Sequence, residues 1–120
     1  MNIREIEELS IPVTNLSASL RFYHEIFDLP IIDTADGAKI ARLGKQFLRF
    51  MVVEHNEEPL HFSVEAKDSI SALESHLANY GVEIKQPTIN HKIMGRAAHS
   101  IVIADYDDNI ITINTYRQKD

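Results

Sequence analysis

The sequence predicts an α+β domain built from two βαβββ modules. Three observations predict it. The order strand, helix, three strands runs twice along the chain, at an offset of 53 residues that pairs Glu8 with His61, Ser10 with Ser63, Ile11 with Val64, Asn15 with Asp68 and Leu20 with Leu73. The leading strand of each copy alternates apolar and polar residues, as a half-buried strand does. The helix of each copy carries apolar residues at spacings of three and four, the stripe of a helix packed on a sheet.

In the first strand, residues 6–13, Leu9, Ile11 and Val13 are apolar while Glu8 and Ser10 are polar. A helix over 15–27 follows, with Leu16, Leu20, Tyr23 and Phe27 on its stripe. Asn15 is its expected N-cap, because a short side-chain oxygen can accept the unpaired amide hydrogens of the first turn. Strands are expected at 30–34, 39–43 and 46–53, with turns at Asp36-Gly37 and Gly44-Lys45. Residues 56–59 read as a linker. The second copy opens with a strand over 59–66, where Phe62 and Val64 are apolar and His61, Ser63 and Glu65 are polar. Its helix, 68–80, carries Ile70, Leu73, Leu77 and Tyr80, with Asp68 as N-cap and Gly81 as a left-handed C-terminal cap. Strands at 82–89, 98–104 and 110–116 complete it, the last two joined by a polar turn at residues 105–108. The expectation is one domain over 1–120, with modules at about 1–55 and 59–117.

Composition narrows the function. No apolar run approaches the roughly 20 residues of a membrane span, and charges at Arg4, Glu5, Glu7 and Glu8 do not fit a signal peptide. No membrane partner and a cytoplasmic location are therefore expected. The absence of cysteine excludes thiolate metal sites and a disulfide framework. A net charge of −6 argues against binding a nucleic-acid backbone.

The segment IPVTNLSASLRFYHEIFDL (Ile11 to Leu29) resembles the opening of the glyoxalase, bleomycin-resistance and extradiol-dioxygenase superfamily, also called vicinal oxygen chelate. ADYDDNIITI (Ala104 to Ile113) resembles that family's closing Asp-Pro-Asp-Gly-Asn turn and final strand. The resemblance implies an open, cup-shaped mixed sheet with helices outside, a small-molecule ligand in the cup, and a homodimer. On that fold Leu9, Ile11, Phe62, Val64, Ile111 and Ile113 are expected under the helices. Glu8, Ser10, Leu48, Phe50, His61, Ser63, Thr112, Asn114 and Tyr116 are the expected ligand-binding cleft.

The resemblance also implies where a divalent metal ion would sit. Metal-dependent members take His and Glu ligands from the first and last strands of each module. The matching positions hold Glu8, where a His is usual, His61, which fits, and Thr112, where a Glu is usual. The 46–53 strand offers no acidic residue and no His. Glu8 and His61 thus form an incomplete set, since a catalytic zinc takes three protein ligands and larger or softer ions want as many. A hydrogen-bonded Glu8–His61 pair is the structural alternative. His99 shares parity with Ile101 and Ile103, which places it under a helix. His24, His76 and His91 read as solvated helix or loop residues. Arg42, Lys45 and Arg49 read as a solvated basic edge. Asp105, Asp107 and Asn109 open like a calcium loop but fail at its sixth and twelfth positions, Ile110 and Tyr116.

Three readings follow. The favoured one is a non-enzymatic small-molecule-binding protein with no metal cofactor. The second is a lyase, isomerase, dioxygenase or thiol transferase using Zn, Ni, Mn or Fe. The third is a metal-free acid–base enzyme using Glu8 and His61.

Overall fold

A computed structural model describes residues 1–116; the expected end of the second module, at residue 117, lies outside them. The chain divides into two compact units, Met1–Pro59 and Leu60–Asp120. No helix among the described residues is long and apolar enough to cross a membrane.

In the first unit β1 (Glu8–Val13) leads into α1 (Leu16–Arg21), which continues as one π-helical segment (Phe22–Ile26). Then come β2 (Ile31–Asp33), β3 (Lys39–Leu43) and β4 (Gln46–Val52). The sheet order is β1-β4-β3-β2, with β1 and β4 parallel and the other pairs antiparallel. Asn15 caps α1 as expected, its Oδ1 accepting from the Ala18 amide at 3.1 Å. The buried residues of this helix are Ser19, Phe22, Tyr23 and Ile26, while Leu16, Leu20 and Phe27 of the expected stripe are only half-buried. The π-helical turn is the reason. Its i→i+5 hydrogen bonds widen the coil, so two adjacent aromatics, Phe22 and Tyr23, both reach the core. Tyr23 is the hub of the cluster, with ring centroids 5.2 Å from Phe22, 5.5 Å from Phe27 and 5.3 Å from Phe50. In the β2–β3 turn the Thr34 hydroxyl and then the Ala38 amide donate to Asp36, which holds that carboxyl below the usual range.

The second unit repeats the plan with β5 (His61–Glu65), α2 (Ile70–Asn79), β6 (Gln86–Ile93), β7 (Arg96–Ala104) and β8 (Ile110–Tyr116). Its order is β5-β8-β7-β6, again with one parallel pair, β5 and β8. Ile101, Ile103, Ile111, Ile113 and Leu77 of α2 form its buried centre. The N-cap is Ser69, whose Oγ accepts from the Ala72 amide at 3.2 Å, and not Asp68. Asp68 instead offers its backbone carbonyl to the Thr115 hydroxyl at 2.6 Å. Gly81 (φ +68) ends α2 in a Schellman arrangement, with Val82 N–H bonded to Leu77 O at 2.9 Å and Gly81 N–H to Ala78 O at 3.0 Å. Tyr80 is exposed and its ring lies tilted against His76, with centroids 5.0 Å apart, so it leaves the expected stripe.

The largest departure is in the β6–β7 hairpin. Strands were expected at 82–89 and 98–104, yet β6 runs to Ile93 and β7 starts at Arg96. Between them Met94 (φ +48) and Gly95 (φ +82) make a two-residue turn, with Ile93 paired to Arg96. Two positive φ angles define the type I′ turn, which favours Asn-Gly because Asn tolerates the left-handed region that Met does not. Met94 is almost fully exposed. Met94→Asn is therefore expected to raise stability by about 0.5–1 kcal/mol, read as a later urea midpoint at unchanged slope.

Candidate functional site

Each sheet has one face under its helix and one open face, and the strand registers assign residues to them. In the first unit Glu8 pairs with Phe47, Leu9 with Leu48, Ser10 with Arg49 and Ile11 with Phe50. Paired residues share a face. Leu48 and Phe50 therefore lie with Leu9 and Ile11 under the helix, where Leu48 is 2% and Phe50 8% exposed. Their expected place in the cleft is corrected. The open face carries Glu8, Ser10, Phe47 and Arg49 instead.

Glu8 Oε1 lies 2.5 Å from Arg49 Nε, both side chains being about one-third exposed. Arg42 shares this face through its pairing with Phe47, with its guanidinium 6.0 Å from that ring and its Nε donating to Gly44 O at 3.3 Å. Arg42 and Arg49 thus stand on the two inner strands of the sheet, not on an edge.

In the second unit the expected residues His61, Ser63, Thr112, Asn114 and Tyr116 do share the open face, since His61, Ser63 and Glu65 pair with Ile110, Thr112 and Asn114. His61 Nε2 lies 3.1 Å from Thr112 Oγ1. Glu8 and His61 each have a partner inside their own unit. Ile111 and Ile113 are buried on the helix face as expected. His99 shares that face, half-buried, in a cleft of about 380 Å³ that Lys67, Ser69, Thr115 and Tyr116 also line.

Two residues of the open face were not foreseen. His91 Nε2 lies 2.6 Å from Ser100 Oγ, which donates to Asn114 Oδ1 at 2.6 Å. His91 belongs to a strand, not to a loop. Placing the turn at Met94-Gly95 would have revealed it, because the register then sets His91 opposite Ala98, on the Ser100 face. Beside them the Arg96 guanidinium lies over the Tyr116 ring at 3.8 Å. The Asp105–Asn109 turn points its carboxylate inward: Asp105 Oδ1 accepts from the Asp107 and Asn109 amides at 2.9 and 3.0 Å. It is a structural turn, as the failed calcium pattern implies.

The family model for the Glyoxalase/Bleomycin resistance protein/Dioxygenase superfamily matches residues 5–113. The chain belongs to this superfamily. Solved structures share the fold of this superfamily member over nearly its whole length. Virulence protein STM3117 from Salmonella typhimurium is 23% identical, with 98% of this chain and 100% of that one covered and a TM-score of 0.86. The integron cassette protein VCH_CASS1 from V. cholerae is 19% identical, with 98% of each chain covered and a TM-score of 0.85. The lactoylglutathione lyase from Agrobacterium tumefaciens is 17% identical, with 95% of each chain covered and a TM-score of 0.74. No curated protein matches the chain.

The divalent ion that the superfamily resemblance implies can be tested against the donors present. Among the described residues no three His, Asp or Glu side chains converge to hold a metal ion. Glu8 is committed to a guanidinium, His61 faces a hydroxyl, and Thr112 is a poor ligand beside a Glu. The donor set does not fit the group.

Proposed function

We propose that this chain is a small-molecule-binding protein of the glyoxalase/bleomycin-resistance type that works without a metal cofactor. The observation that carries the reading is the Glu8–Arg49 ion pair. Arg49 engages the carboxylate that would have to ligate an ion. Its fixed positive charge also opposes a second cation at the same oxygens. The open face of the second unit favours a small polar organic molecule, since His61, Ser63 and Thr112 all supply hydrogen-bonding groups there. The reading includes the homodimer that the family resemblance implies.

Elemental analysis and titration with Zn²⁺, Ni²⁺, Mn²⁺ and Fe²⁺ test it, with His61→Ala as control. The expected result is no stoichiometric ion in either protein. A thermal-shift screen of small molecules with chelator present is expected to find a stabilising ligand; one present at about 100 times its Kd adds about 2.7 kcal/mol. An ion bound near one per chain and lost in His61→Ala would overturn the reading in favour of a metal-dependent lyase, isomerase, dioxygenase or thiol transferase. A broad screen without any shift would overturn it as well.

A further inference from the structure

Asn114 on β8, Ser100 on β7 and His91 on β6 form a hydrogen-bonded chain across three adjacent strands of the second sheet. The serine hydroxyl has a single hydrogen, and it goes to the Asn114 carboxamide oxygen, which can only accept. Toward His91, Ser100 Oγ is then an acceptor, so His91 Nε2 carries the ring hydrogen. In the neutral ring the lone pair falls on Nδ1. Ser100 and Asn114 are 5% and 9% exposed, whereas His91 stands exposed on the edge strand. A buried neutral pair therefore holds an exposed imidazole in one tautomer and one orientation. Fixing a surface ring costs side-chain entropy with little gain in stability. Such an arrangement is what a proton acceptor needs, since the tautomer decides which nitrogen can take the proton.

The same face carries a cation, Arg96. Arg96 pairs with Ile93 while His91 pairs with Ala98, so Arg96 and His91 are diagonal neighbours on the same face. Such neighbours have Cα atoms about 7–8 Å apart. The Arg96 guanidinium is stacked on Tyr116 and has no carboxylate within ion-pair distance among the described residues. Residues 84–104 include Lys85, Lys92 and Arg96 but no Asp or Glu, in a chain of net charge −6.

We propose that His91 Nδ1 is a proton-accepting centre on the open face of the second unit. Ser100 and Asn114 are its positioning residues, and Arg96 stabilises the anion that forms. The ligand class is a small organic molecule with one weakly acidic O–H or N–H group, whose anion the Arg96 charge on the same face favours. The proton passes from that group to Nδ1, leaving an imidazolium beside a ligand anion, and the reverse transfer restores both without a co-reactant. The proposal does not depend on whether a metal binds near His61, and the two readings fail on different measurements.

The test uses full-length ¹⁵N-labelled protein titrated with 4-nitrophenol in the presence of chelator. Histidine side-chain resonances and the phenolate absorption band are followed together. In free protein His91 is expected as the Nε2–H tautomer. Nitrophenol is expected to shift its Nδ1 resonance and to raise the phenolate band in step with occupancy. His91→Gln and Arg96→Gln are each expected to weaken binding about tenfold. Ser100→Ala is expected to release the tautomer and to weaken binding, and Ser100→Thr, which keeps the hydroxyl, to restore both. An Nδ1–H tautomer in the unmodified protein overturns the proposal even if the Ser100 variants fail to fold. So does the absence of any nitrophenol-induced shift at His91, or binding unchanged in His91→Gln.

Discussion

Phe50→Ala is expected to destabilise the protein by about 3–5 kcal/mol, the range for removing a buried aromatic ring. Phe50 is 8% exposed and its ring centroid lies 5.3 Å from that of Tyr23, the most enclosed aromatic of the first unit. Its loss would leave a cavity against a π-helical turn whose geometry is already fixed by other rings, so the site has little freedom to collapse. The neighbouring Arg49→Ala is expected to cost less than about 1 kcal/mol, because its ion pair with Glu8 is partly exposed and screened by solvent. Urea unfolding of both variants decides which face of β4 is the core. Had Phe50 faced the ligand and Arg49 the helix, the two costs would exchange places. A Phe50→Ala midpoint close to that of the unmodified protein would sink the assignment.

The reason β4 misleads is visible in its residues. Strands β1 and β5 have one apolar parity each, so Ile11 and Val64 read directly as helix-facing residues. β4, QFLRFMV, is apolar on both parities: Phe47 and Met51 on one, Leu48 and Phe50 on the other. Alternation alone cannot choose between them. The parallel register to β1, a contact between residues 39 positions apart such as Leu9 and Leu48, makes the choice. The other departure is local. The Met94-Gly95 turn lacks the Asn or Asp that marks a type I′ hairpin, so the sequence pattern puts β6 four residues early and gives His91 the look of a loop residue. Where the local chemistry was explicit, at the Asn15 cap, Gly81 and the Ala104–Ile113 segment, sequence and structure agree. The paired βαβββ order was legible for the same reason. Hydrophobic period is a property of each segment, whereas the partners of Glu8 and His61 are properties of the fold.

Asn109→Ala is expected to cost about 2–3 kcal/mol, although the residue sits in a turn. Asn109 is fully buried, and its side chain joins two parts of the second unit. Its Oδ1 accepts the Leu60 amide at 2.9 Å, and its Nδ2 donates to Asp105 Oδ2 at 3.0 Å. Alanine would take from the Leu60 amide its side-chain acceptor and from the buried Asp105 carboxylate one of its donors. Each such loss costs about 1–3 kcal/mol, with the part-buried Leu60 amide toward the lower end. The turn has little slack to compensate, since Asp105 also holds the Asp107 and Asn109 amides and Asp108 already sits at φ +63. The consequence reaches the open face. Leu60 directly precedes β5, and its carbonyl accepts the Ile110 amide at 2.8 Å where the parallel β5–β8 pairing begins. That pairing sets His61 beside Thr112, so Asn109→Ala is expected to disturb the His61 side-chain resonances as well as the urea midpoint. A variant that lost stability with an unchanged His61 environment would show that the turn closes the fold without positioning the site. One that lost neither would remove Asn109 from both roles.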